Sequence, residues 1–450
     1  MKFTEFADSI RPRLRSCPHP RLAPLDRLRR LTFLIQALLV FTCLAASSHA
    51  APPLRIAFID PMSGPFANAG ESTLRHARAA FEQPEVKRAM NGTAIEVVPF
   101  DNRASAQETL NQLQLAIDRG FRYVMQGQSS AAALALIDAI DKHNQRNPGR
   151  EVLFLNYAAL DPALTNERCS YWHFRFDADV NMRMEALVAV IARDPKLKSV
   201  YLIGQDYSFG RAVHQAARAA LARRRPDVTI AGEDLHPIGA VKDFAPYAAK
   251  IKASGANAVI TGNWGNDLTL LVRAARESNL NADFYTFYAG SLGAVTAIGQ
   301  AGAGRLKQVN EWHANQDPPG HPNRALAAAY KQRNGEDFYF MRVFVMARMV
   351  GEAYARAGAG NAEVNPGRLA AVLEGLRLEG PTGLAEMRAG DHQLIEPLVV
   401  STLWPTAARG GPREVTVDVE NTGLGFKTDA KVEGYVTALP TSCRMQRPPL

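Results

Sequence analysis

Small polar and aromatic residues recur directly after short apolar runs, and these residues are well suited to holding a small ligand. A serine pair at a helix start can receive an anion or a carboxylate, because its hydroxyl groups lie beside unpaired backbone N–H groups. Plain capping of the helix is the alternative for such a pair. An aromatic ring can stack on a ligand or fill a domain interface. The candidate positions are Ser63, Gly64, Ser129, Ser130, Asn156, Tyr157, Tyr207, Phe209, Trp264 and Ser291.

The sequence lacks the common nucleotide-binding and catalytic motifs. The loop "PMSGPFANAGE" contains neither the Gly-Lys-Ser/Thr nor the Gly-x-Gly-x-x-Gly pattern that cradles phosphate. There is no Gly-x-Ser-x-Gly elbow, no His-Glu-x-x-His pair and no metal-ligand spacing among the histidines beyond residue 50. We therefore predict a binding protein that is not an enzyme and has no metal or cofactor. The loop Pro61–Gly70 is expected to form one lip of a ligand cleft, with a plain connector as the alternative.

Short apolar runs alternate with Ala-rich amphipathic stretches from residue 54 onward. This alternation is typical of strand and helix units in a parallel sheet. Four strands with three helices are predicted over residues 54–157, and the same rhythm returns over 181–290. Near the end, His392–Trp404 and Arg413–Val419 are expected to pair as antiparallel strands. We predict an α/β fold with two doubly wound parallel-sheet halves, whose ligand would lie beyond the carboxyl ends of the strands.

The first fifty residues have the composition of a secretory signal. An Arg-rich start precedes the apolar run Leu31–Ala46, and Ser48 and Ala50 lie three residues and one residue before a cleavage point. The run is shorter than the roughly 20 residues that a membrane span needs. Most of the formal net charge of +8 lies in this leader, so a nucleic-acid partner is not expected. We predict export to the periplasm with cleavage after Ala50.

Two cysteines, Cys169 and Cys443, remain once the leader is removed. An exported compartment permits a disulfide between them. Such a bridge would tie the C-terminal tail to the body of the protein, and two unrelated thiols are the alternative.

Six stretches resemble, in order, the landmarks of the leucine/isoleucine/valine-binding proteins of ABC importers. They are "RIAFIDPMSGPFANAGE", "FRYVMQGQSSAAALALIDAI", "LNYAALDPALT", "LIGQDYSFGRA", "VITGNWGND" and "GPTGLAEMRAGDHQ". The resemblance covers about residues 54–405 and implies the type I periplasmic binding fold. In that fold two α/β lobes are joined by a three-crossing hinge and close on a ligand.

The resemblance also implies domain boundaries, with crossings near His173, Gly304 and Pro381. After the signal peptide, residues 1–50, it divides the chain into two lobes and a tail. Lobe 1 would comprise residues 51–172 and 304–381. Lobe 2 would comprise residues 173–303 and 382–438, and residues 439–450 would form the C-terminal tail.

The resemblance implies roles for single residues. The serine that receives the carboxylate of an amino acid corresponds to Ser129 or Ser130. The family's pocket threonine falls at Leu160, which has no hydroxyl group. Its pocket tyrosine falls at Phe209, although Tyr207 stands close by.

The family's ammonium site is altered in this sequence. The pocket aromatic corresponds to Trp264, but the acidic residue that pairs with the ligand's ammonium falls at Ser291. An unpaired buried ammonium costs several kcal/mol, against roughly 1 kcal/mol for an ordinary hydrogen bond. Asp267 would replace the lost charge if it points inward. Otherwise the pocket suits an aromatic or apolar carboxylate.

The function that follows is the substrate-binding component of an ABC importer. We expect a monomer that clamps a small amino-acid-like, aromatic or apolar carboxylate and delivers it to a membrane permease. A periplasmic sensor that passes a signal to a separate membrane receptor is the alternative.

Overall fold

The computed structural model describes residues 53–358 and 364–448. The predicted leader and its cleavage point after Ala50 lie outside the described residues. Among the residues that are described, no helix combines the length and the apolar character needed to cross a membrane.

The N-terminal part alternates strands and helices, beginning with a strand in which every residue except Arg55 is buried. Because helices cover both faces of such a sheet, its strands are almost continuously apolar. The hydroxyl oxygens of Ser105 and Ser129 cap two of the helices by accepting backbone N–H groups. The elements are β1 (Leu54–Asp60), α1 (Ala67–Phe81), α2 (Pro84–Ala89), β2 (Ile95–Asp101), α3 (Ala106–Asp118), β3 (Tyr123–Gln126), α4 (Ser130–Arg146), β4 (Leu153–Asn156) and β5 (His173–Arg175).

The middle of the chain repeats this alternation and builds a second sheet. Its first helix is capped by Asp179, whose carboxylate accepts the N–H of Met182 at 2.9 Å. The elements are α5 (Val180–Ile191), β6 (Ser199–Gln205), α6 (Ser208–Arg224), β7 (Thr229–His236), α7 (Ala245–Ala253), β8 (Ala258–Thr261), α8 (Asn266–Glu277), β9 (Asp283–Thr286), α9 (Ala294–Ile298) and β10 (Leu306–Asn310).

The C-terminal part contributes to both sheets. One of its helices carries a Met-rich apolar face that is buried in the core of the first sheet's lobe. The elements are α10 (Pro322–Asn334), α11 (Met341–Ala357), α12 (Pro366–Leu373), β11 (Arg377–Gly380), β12 (Gly383–Arg388), β13 (Gln393–Ile395), β14 (Leu398–Pro405), β15 (Leu424–Val432) and α13 (Gly434–Thr437).

Two sheets result, and both are mainly parallel. The first has eight strands in the order β11-β12-β13-β5-β4-β3-β1-β2, and the second has seven in the order β15-β14-β10-β9-β8-β6-β7. The antiparallel pairs are β11 with β12, β12 with β13, β10 with β14, and β14 with β15. The predicted α/β fold with two lobes is confirmed.

The last predicted strand pair was wrong in detail. The stretch His392–Trp404 is two strands, β13 and β14, which belong to different sheets. The break falls at Glu396 and Pro397, where proline has no N–H group to continue a ladder. Residues Arg413–Val419 form turns and bends, and the partner of β14 is β15.

The three crossings between sheets each come later than predicted. The chain stays in the first sheet through β5, past His173, and in the second sheet through β10, past Gly304. It also stays in the first sheet through β12 and β13, past Pro381. β5 and β13 are three residues long and contain polar residues that are buried, so they lack the apolar runs by which the other strands are predicted.

The sheets therefore define the lobes differently from the sequence-based boundaries. The first lobe, built around the eight-stranded sheet, comprises residues 53–176 and 311–395. The second lobe, built around the seven-stranded sheet, comprises residues 177–310 and 396–438. The crossing segments are consequently the residues that directly follow β5, β10 and β13.

The C-terminal tail is fastened to the first lobe. Cys169 and Cys443 form a disulfide with a Cα–Cα distance of 5.7 Å across 274 residues of sequence. The hydroxyl of Thr441 donates to the carbonyl of Thr165 at 3.0 Å. Since the preceding helix α13 belongs to the second lobe, this tail is a fourth covalent path between the lobes.

Candidate ligand-binding cleft

A cavity of about 560 Å³ lies between the two lobes, at the carboxyl ends of their parallel strands. This is where open α/β sheets bind ligands. Both lobes contribute to its lining, so a molecule held there would touch each of them. The predicted ligand residues that line it are Ser129, Ser130, Leu160, Tyr207, Phe209, Trp264 and Ser291.

The serine pair lies at the start of α4 in the first lobe. Ser129 Oγ accepts the N–H of Ala132 at 3.4 Å, and Ser130 Oγ accepts the N–H of Asp161 at 3.2 Å. Because each oxygen acts as an acceptor, its hydrogen is left to donate into the cavity. Ser129 therefore caps the helix, Ser130 supports the neighbouring turn, and both hydroxyl groups keep a hydrogen that can be donated.

Asp60, at the end of β1, fixes the turn that carries these serines. Its buried carboxylate accepts the N–H groups of Gly127 and Gln128, each at 3.1 Å, and the side-chain amide of Gln126 at 3.3 Å. It also accepts the hydroxyl of Tyr157 at 2.8 Å. Burial raises the pKa of Asp60 to about 7, and the four donors oppose that rise. Tyr157 is thus a support beneath the turn and does not line the cavity, contrary to prediction.

Two further predicted residues, Asn156 and Ser63, do not line the cavity. Asn156 binds its own turn, accepting the N–H groups of Ala158 and Ala159 at 3.1 and 2.7 Å. Ser63 is exposed and hydrogen-bonds to the carboxylate of Asp101. These side chains stabilise the loops at the strand ends instead of facing a ligand.

Asp267 does not supply the missing negative charge. Its carboxylate is buried and accepts the side-chain amide of Gln205 at 2.8 Å and the N–H of Gly239 at 2.9 Å. It is turned into the second lobe and does not line the cavity. Asp267 would replace the lost negative charge only if its carboxylate pointed into the cleft, and it does not.

The second lobe contributes an aromatic wall. Trp264 Nε1 donates to the hydroxyl oxygen of Tyr207 at 2.9 Å, and the rings of Tyr207 and Phe209 are 5.7 Å apart. Because Tyr207 accepts from Trp264, its own hydroxyl hydrogen is left to donate. Across the cleft, Phe66 of the first lobe contacts Trp264 with ring centroids 4.4 Å apart. Leu160 adds an apolar surface from the first lobe.

The sequence did not predict Arg342, at the start of α11. In the part of the chain that the structure describes, it is the one charged side chain that lines the cavity. Its Nη1 donates to Glu311 at 3.0 Å, its Nε lies 3.3 Å from Asp177, and its guanidinium lies 4.9 Å from the ring of Phe340. The available signal was an arginine inside the apolar stretch "FMRVFVMARMV", where only a paired charge is stable.

Arg342 belongs to a buried group of charges that we call the crossing cluster: Asp177, Arg183, Glu311, Arg342 and Glu396. The three crossing segments supply the carboxyl groups, in chain order Asp177, Glu311 and Glu396. The second lobe supplies Arg183 and the first lobe supplies Arg342. Arg183 Nη2 donates to Asp177 at 2.6 Å and lies 3.8 Å from Glu311. Burial, aided by repulsion from Glu311 and Asp177, raises the pKa of Glu396 to about 8. With Glu396 protonated at neutral pH, Asp177 and Glu311 are the carboxyl groups left to pair with the two guanidinium groups.

Comparison with known proteins agrees with this architecture. The family model described as periplasmic binding protein matches residues 53–406. A curated relative, Leu/Ile/Val-binding protein homolog 4 of Brucella abortus, is 30% identical over 415 residues, which are 90% of this chain and 95% of the relative.

Two solved structures show the same fold. The leucine-, isoleucine-, valine-, threonine-, and alanine-binding protein of Brucella ovis, in its closed conformation, has a TM-score of 0.78 at 29% identity, covering 88% of this chain and all of that one. A solute-binding protein of an ABC transporter from Rhodopseudomonas palustris BisB5, in complex with 3,4-dihydroxy benzoic acid, has a TM-score of 0.68 at 19% identity. That match covers 85% of this chain and 98% of the other.

Proposed function

Because this chain belongs to the periplasmic binding protein family, with Leu/Ile/Val-binding proteins among its relatives, we propose that it is the substrate-binding component of an ABC importer. It would be exported by its leader, close as a monomer on a small organic solute and deliver that solute to a membrane permease. The observation that carries the proposal is the cavity between the lobes, which has an aromatic wall on one side and paired serines at a helix start on the other.

The solute that we propose is an aromatic or apolar carboxylate. The described residues that line the cavity include no carboxylate, so an ammonium group would be buried without a counter-charge. The Rhodopseudomonas protein binds an aromatic acid, whereas the Brucella ovis protein is named for aliphatic amino acids. The lining here supports the first class of ligand.

Each part of such a ligand has a proposed contact. Its carboxylate lies at Ser129 and Ser130, where hydroxyl hydrogens and helix N–H groups converge. Its apolar body lies against the rings of Tyr207, Phe209 and Trp264. Leu160 and Ser291 complete the lining on either side. Burial of about 200 Å² of carbon contributes on the order of 5 kcal/mol before the cost of association. Micromolar affinity corresponds to about 8 kcal/mol, so the hydrogen bonds to the carboxylate must supply the rest.

Calorimetry on the purified mature protein, with benzoate and leucine, tests this function. We expect benzoate to bind in the micromolar range and to reduce the radius of gyration in solution scattering, because the lobes close. We expect leucine to bind much more weakly. If neither aromatic acids nor amino acids bind, and the radius never changes, the proposal fails.

A pair of serine variants separates ligand binding from helix capping. Ser129 and Ser105 cap two helices of the same lobe, and only Ser129 lines the cavity. Both Ser129→Ala and Ser105→Ala should cost about 1 kcal/mol of stability. Only Ser129→Ala should also weaken benzoate binding, by about tenfold. If the two variants changed the affinity for benzoate equally, Ser129 would only cap its helix and would not contact the ligand.

A further inference from the structure

We propose that Arg342 forms a second oxygen-binding site in the cleft, so that the solute is a bifunctional acid: an aromatic ring with a carboxylate at one end and a second carboxylate or a hydroxyl group at the other. This inference rests on the proposed function, because it takes the first carboxylate to lie at Ser129 and Ser130. It narrows the ligand class from simple carboxylates to those with two oxygen-bearing groups.

The guanidinium of Arg342 has N–H groups that do not form hydrogen bonds with the described residues. Its side chain is only 6% exposed and lines the cavity. Nη1 donates to Glu311, but Nε lies 3.3 Å from Asp177 without forming a hydrogen bond. Among the described residues, Nη2 has no hydrogen-bond acceptor. A buried guanidinium with unused N–H groups is stabilised by any acceptor that reaches it, and a ligand oxygen in the cavity is such an acceptor.

The guanidinium is held in place from behind. Glu311 accepts both its Nη1 and the backbone N–H of Arg342, at 3.0 and 3.1 Å. Asp177 lies beside its Nε, and the ring of Phe340 lies 4.9 Å from its Cζ. Because the planar guanidinium is fixed, its remaining N–H groups point in a defined direction. This favours a ligand whose oxygen lies where those N–H groups point.

The strand order sets the separation of the two oxygen-binding sites. The serine pair follows β3, whereas Asp177, which contacts Arg342, follows β5. One strand, β4, lies between them, so the strand ends are separated by two steps of about 4.8 Å, or about 10 Å. The residues that follow β4 and line the cavity, Ala158 to Leu160, carry apolar side chains. An aromatic ring on this apolar floor would place one oxygen group toward each site.

The charge balance of the crossing cluster permits a negative group at Arg342. Asp177 and Glu311 face Arg183 and Arg342 in ion pairs, and burial raises the pKa of Asp177 and raises that of Glu396 to about 8. The cluster therefore carries at most two negative charges against two guanidinium groups at neutral pH. A ligand carboxylate at Nη2 therefore meets no excess of negative charge, and the charged group nearest to it is the guanidinium of Arg342. A ligand ammonium at the same place would meet that guanidinium directly and be repelled.

Calorimetry on the unmodified protein with three ligands of one shape tests the inference. The ligands are para-methylbenzoate, para-hydroxybenzoate and terephthalate, which differ only in the group opposite the carboxylate. We expect the hydroxyl or the second carboxylate to tighten binding at least about tenfold over the methyl group. Equal affinities for the three would overturn the inference and leave the proposed function standing. If none of the three binds, the proposed function fails and this inference fails with it.

Variants then assign the effect to Arg342. Arg342→Gln is combined with Glu311→Gln, so that one positive and one negative charge are removed together and the buried charges stay balanced. We expect the affinity ratio between para-hydroxybenzoate and para-methylbenzoate to fall to about one. Arg348→Gln, a change at a half-buried position of the same helix that does not line the cavity, should keep the ratio of the unmodified protein. A double variant that folds, as judged by circular dichroism, and keeps the full ratio would refute the role of Arg342.

Discussion

The carboxyl group of Glu396 should make the protein less stable as pH rises, and replacing it with an amide should remove this effect. Glu396 lies in the third crossing segment, fully buried, and accepts the hydroxyl of Thr382 at 2.9 Å. Burial raises its pKa from 4.5 to about 8, and repulsion from Glu311 and Asp177 adds to the rise, while Arg183 opposes it. Glu396→Gln keeps the shape and the acceptor for Thr382 but cannot ionise.

The sign and size of the effect follow from proton binding. The folded protein keeps the Glu396 proton up to pH about 8, whereas the unfolded chain releases it above 4.5. The stabilisation of the folded protein by this proton is complete below pH 4.5 and is lost as the pH rises through about 8. Each unit of pKa difference corresponds to about 1.4 kcal/mol, so the difference between 4.5 and about 8 contributes about 5 kcal/mol to the free energy of unfolding. The stability of Glu396→Gln relative to the unmodified protein should therefore increase by about 4 kcal/mol between pH about 5 and pH about 8.

Urea denaturation of both proteins across this pH range measures the difference, and other titrating groups cancel because they are common to both. Glu379→Gln is the matched control, since it removes a glutamate that is exposed in β11, close in sequence to Thr382 and in the same lobe. Because Glu379 is exposed, that control should change stability only slightly. A constant difference between Glu396→Gln and the unmodified protein over the whole range would refute the idea that this carboxyl is protonated in the folded state.

Three further outcomes are expected. Phe66→Ala removes the ring contact with Trp264 across the cleft and should raise the dissociation rate of a bound ligand about tenfold, measured by stopped-flow tryptophan fluorescence. Replacing Cys169 and Cys443 with serine opens a loop of 274 residues and should cost about 5 kcal/mol, measured by urea denaturation against the oxidised protein. Asp60→Asn places an amide N–H₂ among four donors and should cost about 2 kcal/mol in the same assay and weaken ligand binding in calorimetry, because the serine turn loses its support.

The sequence was sufficient to predict the fold and the positions at strand ends, because both depend on local patterns. The alternation of apolar runs with amphipathic stretches located most of the strands in both sheets. Residues that directly follow strands, such as Ser130 and Trp264, then had to lie at one edge of a sheet. Whether a side chain at that edge faces the cavity or the loop beneath it depends on hydrogen bonds that are distant in sequence. Tyr157 faces Asp60, 97 residues away, and no local pattern indicates that.

The crossings and Arg342 could not be predicted for a related reason. The strands beside the crossings are short and contain buried polar residues that satisfy one another, as where Arg175 Nε donates to Gln393 at 2.6 Å. Their burial depends on a partner 218 residues away, so their composition resembles that of a loop. Arg342 reaches the cavity only because the third segment of the chain returns to the first lobe.

The crossing cluster connects ligand recognition to the place where the lobes would pivot. If the lobes rotate about the three crossings, as the proposed function requires, atoms near the crossings move least and those at the mouth of the cleft move most. Arg342 and its carboxylate partners lie at the crossings, whereas the contact between Phe66 and Trp264 lies across the cleft. The serine pair and Arg342 both belong to the first lobe and are already positioned by Asp60 and Glu311. A ligand would therefore bind the polar sites of the first lobe first. Its apolar body would contact the aromatic wall of the second lobe only when the lobes close. The free energy of that contact would then favour the closed state.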